Sequence, residues 1–205
     1  MRGEMMPLPV GLLSLQGDYD KHRLALEAAG QTTLNVRRAS ELSQVSSLVI
    51  PGGESTTLSR LIDRNGLRQP LLDFAAAGHP VLGTCAGLIM LSGGLVGETD
   101  PEWHGVRPLG LLDVLVERNG FGRQVDSFTE DLTMDKVNGD PRPFAAVYIR
   151  APRIVRVGDK AAPICSRPDG EVVGVRQGNI IGLTFHPELT PDHRFHGMLS
   201  SMISS

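Results

Sequence analysis

Short apolar runs alternate with amphipathic segments along the first half of the chain. Val10–Leu15 and Ser47–Ile50 contain only apolar and small residues, which predicts strands buried on both faces. Thr32–Val36 predicts a further short strand. Tyr19–Ala29 has helical periodicity and is followed by Gly30, a residue that readily adopts the positive φ of a helix end. This alternation predicts an α/β domain with parallel strands covered on both faces.

The same alternation continues as far as Cys85. Ser55–Asn65 and Pro70–Ala77 predict helices that end at Gly66 and Gly78, and an apolar strand then runs up to the cysteine. Cys85 therefore lies where a buried strand gives way to the next helix.

The second half of the chain has a different texture, with strand-like runs at short intervals. The predicted strands are Leu109–Val116, Phe144–Ile149, Val172–Val175 and Ile180–Phe185. The turns between them are predicted at Asn119–Gly120, Asn138–Pro141, Pro168–Gly170 and Gln177–Asn179. A last helix is predicted to begin at Thr190–Pro191, with threonine as N-cap and proline at the first helical position. We interpret these strands as additions to one domain that spans residues 10–205, after a flexible leader of residues 1–9.

Composition narrows the classes of function. The 205 residues carry a net charge of −3 and only 4% aromatic residues, which argues against nucleic-acid binding. Two cysteines in separate segments and six scattered histidines indicate neither a disulfide framework nor structural zinc, and they favour a reducing, cytoplasmic compartment. The N-terminal segment lacks the long apolar run of a signal peptide or a membrane span.

The first candidate for chemistry is Cys85 in the pattern Gly83-x-Cys85-x-Gly87. This spacing is that of a nucleophile elbow, in which small flanking residues allow a sharp turn from strand to helix. The dipole of the following helix would stabilise a thiolate, and nearby backbone N–H groups would stabilise an oxyanion. The alternative is an inert, buried cysteine.

Other polar segments are expected at the same edge of the sheet, because ligands gather at the carboxyl ends of parallel strands. Gln16–Gly17, Pro51–Ser55 and His186–Glu188 each follow a predicted strand. The two glycines of Pro51–Ser55 suit an oxyanion hole, although a tight turn with Ser55 as N-cap explains them equally well.

His186-Pro187-Glu188 offers the base that a cysteine nucleophile requires. The imidazole would exchange the thiol proton, and the carboxylate would fix its tautomer and stabilise the imidazolium. Taken alone, a histidine at a strand end is more often a partly exposed polar residue. Its coincidence with Cys85 and the two glycines favours a catalytic site.

The remaining candidates are weaker. His193 and His196 have helical spacing, but without a nearby carboxylate we prefer a solvated surface to a metal site. His22 and His79 are predicted at the surface, and Cys165 in the core. The loop that begins at Arg118 has the charge to clamp a carboxylate, although on local sequence it is predicted to be a solvated hairpin loop.

These segments carry a family resemblance that covers almost the whole chain from Val10. Gly83–Gly87 with His186–Glu188 is similar to the cysteine-histidine-glutamate triad of class I glutamine amidotransferases. Further motifs narrow the resemblance to the glutaminase subunits of pyridoxal 5′-phosphate synthase, namely Leu15–Gly17, Pro51–Thr57, Glu117–Phe128 and Phe185–Thr190. Glu98–Pro108 is longer than expected for this family. The resemblance implies a three-layer α/β/α, flavodoxin-like fold with a mostly parallel central sheet and extra strands in the C-terminal half.

The resemblance also implies roles for individual residues. Cys85 would be the nucleophile, His186 the general acid and base, and Glu188 its orienting carboxylate. The oxyanion hole would be formed by backbone amides of Gly52, Gly53 and Ala86. Glutamine would be bound by a larger set, consisting of Gly53, Glu54, Ser55, Arg118, Ile149 and Arg150.

By the same resemblance, ammonia from glutamine would pass through a channel to a (β/α)₈-barrel synthase subunit in a hetero-oligomeric complex. The chain itself would need neither a metal nor another cofactor, and it would be slow without its partner. Gln16–Gly17 is the first candidate for the element that couples the two subunits. Three alternatives stay open at this point: a glutaminase for another pathway, a non-catalytic regulatory module of the same fold, and a papain-like protease. The sequence signature of papain-like proteases is absent from this chain.

Overall fold

The computed structural model describes residues 7–97, 105–118, 120, 127–135 and 140–202. The helices are α1 (Tyr19–Ala28), α2 (Ala39–Leu42), α3 (Ser55–Arg64), α4 (Arg68–Ala76), α5 (Ala86–Leu91) and α6 (Arg194–Ser201), with a 3₁₀ turn at Pro187–Leu189. The strands are β1 (Val10–Leu13), β2 (Thr33–Val36), β3 (Ser47–Ile50), β4 (Val81–Thr84), β5 (Ser92–Leu95), β6 (Leu112–Glu117), β7 (Ser127–Met134), β8 (Phe144–Ile149), β9 (Arg153–Val157), β10 (Ala162–Ser166), β11 (Val172–Gln177) and β12 (Ile180–Leu183). None of the described helices has the length and apolar character needed to cross a bilayer.

Nine strands form the main sheet, in the order β2-β1-β3-β4-β12-β11-β10-β7-β8. Neighbours from β2 to β12 are parallel. From β12 to β8 every pair is antiparallel. The α/β class is therefore confirmed, but the sheet is mixed and its parallel part is five strands wide. A separate small sheet contains β5, β6 and β9.

Burial explains why the parallel half could be predicted from its apolar runs. Every residue of β1, β3, β4 and β12 is buried. In β3, Leu48 and Ile50 join a core cluster with Leu58 of α3, whereas Val49 between them joins a second cluster with Phe195 of α6. Since successive side chains of a strand point to opposite faces, helices cover both faces of the sheet. This is the expected three-layer arrangement.

The antiparallel half is more exposed, and its strands alternate. In β8 buried residues occupy every second position, and in β7 only Leu132 and Met134 are buried. Such strands place one face against the core and the other toward solvent. The charged residues of β7 and β9 obscure this pattern in the sequence, and Pro163 interrupts it in β10.

The predicted start of the last helix is wrong by several residues. Thr190 closes the preceding 3₁₀ turn, since its hydroxyl donates to the Pro187 carbonyl. The side chain of Asp192 instead accepts a hydrogen bond from the backbone N–H of Arg194, where α6 begins. The predicted strand Leu109–Val116 also begins later, at Leu112, because Gly110 has a φ of +70°.

Some predictions lie wholly or partly outside the described residues. They concern the leader, of which residues 1–6 are not described, the long segment Glu98–Pro108, the turns at Asn119–Gly120 and Asn138–Pro141, and the loop that follows Arg118.

Candidate active site

Cys85 lies between β4 and α5 in the strained geometry expected of a nucleophile elbow. Its φ is +49°, a value that residues other than glycine rarely adopt. A side chain at Gly83 would meet Leu91, and one at Gly87 would overlap the Ile50 carbonyl. The backbone N–H of Cys85 donates to the Leu183 carbonyl at 2.9 Å. The two glycines thus permit the close packing that holds the thiol at the carboxyl edge of the sheet.

His186 reaches the same edge from β12, the strand next to β4. Its backbone N–H donates to the Val147 carbonyl at 2.8 Å, which fixes the chain as it leaves the sheet. The ring Nδ1 lies 2.7 Å from Oε1 of Glu188 in the 3₁₀ turn, and Cys85 is the other side chain that raises the pKa of this imidazole. Because Nδ1 is taken by Glu188, Nε2 is the ring nitrogen left for Cys85. Thiol, imidazole and carboxylate thus follow one another in a line at the edge of the sheet, with the hydrogen bond between imidazole and carboxylate as its inner part.

The electrostatics of this line favour an ion pair between His186 and Glu188. Burial opposes protonation of His186, but the side chains of Cys85 and Glu188 outweigh it and raise the pKa of the imidazole to about 10. Burial likewise opposes ionisation of Glu188, yet the neighbouring His22 and His186 lower the pKa of its carboxyl. A protonated imidazole beside the thiol is suited to deliver a proton to a leaving group.

Gly52 and Gly53 lie directly against this line. A Cβ at Gly52 would stand 2.5 Å from Cε1 of His186, so only glycine leaves the imidazole in place. Gly53 has a φ of +144°, and a Cβ there would meet the side-chain amide of Gln16. Ala86, the first residue of α5, has a backbone N–H without an intrahelical acceptor. The residues expected to form an oxyanion hole therefore lie close to Cys85 and His186.

A cavity of about 490 Å³ opens onto Cys85 and His186. Its volume is in the range of small-molecule sites. The structure brings most of the predicted site residues to its wall. They are Gly52, Gly53, Glu54, Ser55, Cys85, Arg118, Ile149, Arg150 and His186. Among the predicted residues, Glu188 lies behind His186 and Ala86 beneath Cys85, both buried.

Arg118 enters this cavity, in contrast to the solvated loop that local sequence favoured. Its guanidinium donates to the hydroxyls of Thr56, at 3.2 Å, and Ser55, at 3.5 Å. Planar donors of this kind match a carboxylate. On the opposite side, the Ile149 carbonyl lies 4.0 Å from the Cys85 sulfur, and Arg150 has a φ of +43°. Cys85 and Arg150 thus place two strained backbone positions at one cavity.

The N-cap of α3 is Glu54, which corrects the alternative that assigned this role to Ser55. The Glu54 carboxylate accepts from the backbone N–H groups of Thr56 and Thr57, at 2.9 and 2.7 Å. Burial opposes its ionisation, but these bonds lower the pKa of the carboxyl to about 2. The cap also ties Glu54 to Gln16, whose Oε1 accepts from the Glu54 backbone N–H at 3.2 Å.

Gln16–Gly17 packs onto the two glycines of the candidate oxyanion hole. A side chain at Gly17, which has a φ of +87°, would overlap the Gly52 carbonyl. A movement of the Gln16 side chain would therefore change the contacts of the Gly53 backbone. The structure brings this loop to the site, as the sequence predicts.

Two histidines that were expected at the surface are buried instead. His22 and His196 have no exposed area, and their rings contact each other behind Glu188. The burial of His22 could have been predicted from α1, because His22, Ala25 and Leu26 have the spacing of one helix face, and all three are buried. The prediction was wrong because histidine is polar and was therefore assigned to the surface. His79 is half-buried and stacks on Phe74.

Cys165 is fully buried in β10, as predicted. Burial, reinforced by Asp135, raises the pKa of its thiol far above the ordinary value. No group of three or more histidine, cysteine or acidic side chains within the described ranges has the geometry to hold a metal ion.

The mixed α/β sheet, with cysteine, histidine and glutamate at its carboxyl edge, is the arrangement of the class I glutamine amidotransferases. A solved structure described as a glutamine amidotransferase superposes with a TM-score of 0.86 and 38% identity, covering 96% of this chain and 99% of the other. The PurLQS structure from Thermotoga maritima has a TM-score of 0.69 but 16% identity, over 98% and 99% of the two chains, so this likeness shows the fold alone.

The chain belongs to the SNO glutamine amidotransferase family, whose model matches residues 12–205. A relative from Bacillus licheniformis, named pyridoxal 5′-phosphate synthase subunit PdxT, is 45% identical over 196 residues, which cover 96% of this chain and 95% of the relative. A relative of the same name from Methanothrix thermoacetophila is 47% identical over 190 residues, covering 93% and 97%. The resemblance stated from the motifs is confirmed.

Proposed function

We propose that the chain is the glutaminase subunit of a pyridoxal 5′-phosphate synthase and hydrolyses L-glutamine to L-glutamate and ammonia. The observation that carries this proposal is the line from Cys85 through His186 to Glu188 at the wall of the cavity. The names of the relatives support the pathway.

In the proposed reaction, the Cys85 thiolate attacks the side-chain amide carbon of glutamine and forms a tetrahedral oxyanion. His186 gives its proton to the amide nitrogen, the C–N bond breaks, and ammonia leaves a γ-glutamyl thioester. The imidazole, now neutral, takes a proton from water, which attacks the thioester. Glutamate leaves with the C–S bond broken, and the thiolate and imidazolium are restored. Water is the only co-reactant.

The other cavity residues have distinct proposed roles. Backbone amides of Gly52, Gly53 and Ala86 would stabilise the oxyanion, with one such donor typically contributing about 3–4 kcal/mol. Arg118 would bind the α-carboxylate of glutamine, since its guanidinium already reaches the cavity wall. Glu54, Ser55, Ile149 and Arg150 would complete the substrate pocket. These groups position the amide over Cys85.

We further propose that ammonia passes through a channel to a (β/α)₈-barrel synthase subunit, and that docking of this partner activates the glutaminase. Gln16–Gly17 is the proposed coupling element, because it contacts Gly52 and Gly53 directly. Free ammonia has no use without an acceptor, so a slow isolated chain is the expected resting state. The two free cysteines support a reducing, cytoplasmic location.

The test is a titration of the purified chain with its synthase subunit while glutamate release is measured. We expect low turnover alone and saturable activation on mixing. Gln16→Ala should retain binding to the synthase but lose much of the activation. Turnover that is unchanged by the synthase would contradict the coupling, and absence of glutamate release under both conditions would contradict the glutaminase.

A further inference from the structure

A buried chain of side chains extends behind the candidate triad. Nε2 of His22 lies 3.3 Å from Oε2 of Glu188 and 3.1 Å from the hydroxyl oxygen of Thr84. On the other side of the ring, Nδ1 of His22 lies 3.0 Å from Nε2 of His196. Both rings are fully buried, and neither belongs to the cavity wall.

We infer that His22 is a positioning residue for the proposed hydrolysis: it donates its Nε2 hydrogen to Glu188 and holds that carboxylate against His186, while His196 sets its tautomer. This inference rests on the proposed function, because it assigns His22 a part in the chemistry of the same site. His22 acts through Glu188 and touches neither glutamine nor the reacting sulfur.

One carboxylate oxygen of Glu188 lacks a hydrogen-bond donor within the described part of the chain, and His22 is the nearest candidate to supply it. Oε1 of Glu188 is bonded to His186, whereas Oε2 has no well-aligned hydrogen bond among the described residues. A carboxylate oxygen left without a donor in the interior is costly. The His22 ring places Nε2 3.3 Å from this oxygen, while the same nitrogen is hydrogen-bonded to the Thr84 hydroxyl at 3.1 Å. A small rotation of the ring would bring the Nε2 hydrogen onto the carboxylate.

The His22–His196 pair determines which nitrogen of His22 carries the hydrogen. If Nε2 of His196 donates to Nδ1 of His22, the hydrogen of His22 is on Nε2 and faces Glu188. Of the four ring nitrogens, this arrangement leaves the bare Nδ1 of His196 without a partner among the described residues. The reverse arrangement would leave a buried N–H donor at that atom and would turn a lone pair of His22 toward the carboxylate. The first tautomer is therefore preferred.

Both rings are neutral in this arrangement. Burial lowers the pKa of His22, outweighing the opposing influence of Glu188. Burial and His22 together lower the pKa of His196 to about 3. The groups that face His22 are Glu188 from the 3₁₀ turn, His186 just before that turn, His196 from α6, and Asp18 just before α1. His22 thus supplies a hydrogen-bond dipole, with no positive charge of its own to compete with His186.

Two substitutions of His22 by an amide side chain distinguish a role in positioning Glu188 from a role in packing alone. In His22→Gln the side-chain nitrogen can reach the place of Nε2 and donate to Glu188. In His22→Asn it reaches only the place of Nδ1, so the contact with His196 is kept and the donor to Glu188 is lost. Leu26→Ala, one turn further along α1 and fully buried, is the control for lost packing.

Glutamate release in the presence of the synthase should distinguish these variants at a temperature where all are folded. We expect His22→Asn to lower kcat about tenfold with little change in KM, and to move the basic limb of the pH profile to lower pH by about one unit, since the His186 imidazolium loses support. His22→Gln should recover most of kcat and the wild-type limb. Leu26→Ala should lower the melting temperature and leave both kinetic readouts unchanged.

Equal kcat and equal pH limbs in the two amide variants would overturn the inference, as would a loss in Leu26→Ala that matches His22→Asn. Alkylation of Cys85 by iodoacetamide across the pH range provides a readout that does not need glutamine turnover. His22→Asn should shift this profile relative to wild type and His22→Gln should not. If wild-type protein releases no glutamate, the proposed function fails, while the alkylation profiles still support or refute the role of His22.

Discussion

The two cysteines lie in the two halves of one sheet and differ in almost every property that governs reactivity. Cys85 is at the end of a parallel strand, with a φ of +49°, and it raises the pKa of the His186 imidazole. Cys165 is within an antiparallel strand, where its sulfur packs against Gly174 so closely that a Cβ there would lie 2.5 Å away. Burial raises the pKa of its thiol. The comparison shows that a strand's carboxyl edge, rather than the residue type, makes a cysteine available for chemistry.

Replacing each cysteine by alanine is expected to give the largest difference between the two halves of the sheet. Cys85→Ala should lower glutamine hydrolysis by roughly 10⁴-fold or more, because the triad acts as a unit. Cys165→Ala is the matched control and should retain hydrolysis within a factor of about two. Glutamate release in the presence of the synthase measures both. Comparable losses in the two variants would remove the distinction between the two halves.

A methyl group at Gly52 should disturb the parallel edge almost as strongly. The added Cβ meets the His186 ring, so Gly52→Ala should lower kcat about 100-fold through misplacement of the imidazole. Gly197→Ala serves as the control, since a Cβ at that position in α6 meets no neighbour. It should leave kcat unchanged and stabilise the fold by about 0.5–1 kcal/mol. A fully active Gly52→Ala enzyme would show that the imidazole does not need its present place.

The pH dependence of activity sharpens the comparison further. Protonation of His186 is needed to expel ammonia, and the pKa of its imidazole is raised to about 10. Activity should therefore persist through pH 9 and fall as the pH rises through about 10, by about tenfold per unit above it. Initial rates in overlapping buffers, corrected for reversible unfolding, test this. A basic limb near pH 6.5, the ordinary histidine value, would contradict the raised pKa that Cys85 and Glu188 give the imidazole.

The smallest expected effect concerns stability in the antiparallel half. Cys165→Ala removes a packed sulfur and should lower the free energy of unfolding by about 1–2 kcal/mol, while catalysis is retained. Urea denaturation measures the change. A stability equal to that of the wild type would show that the void is readily refilled.

The sequence predicted the parallel half well because burial on both faces produces continuous apolar runs. It also predicted the turn at the carboxyl edge of the sheet, because the spacing of Gly83, Cys85 and Gly87 is typical of a sharp turn from strand to helix. The antiparallel strands were harder: β7 exposes mainly small polar residues along one face, and no short run of its sequence is apolar. Register and the small second sheet depend on contacts between distant segments, which local patterns do not contain.

Within the site, the sequence missed what depends on three-dimensional neighbours. Glu54 caps α3 although Ser55 is the commoner type of capping residue, because the chain places its carboxylate over two free amides. His22 was expected at the surface because its side chain is polar. Its burial is compensated by Thr84, His196 and Glu188, which come from three other parts of the chain.

The most direct test of the central claim is covalent labelling with a glutamine-mimicking affinity reagent, followed by peptide mass spectrometry. We predict a single adduct on Cys85, prevented by excess glutamine, and an unmodified Cys165. Modification of Cys165 in the folded protein, or labelling of Cys85 that glutamine does not prevent, would contradict the assignment of Cys85 as the nucleophile.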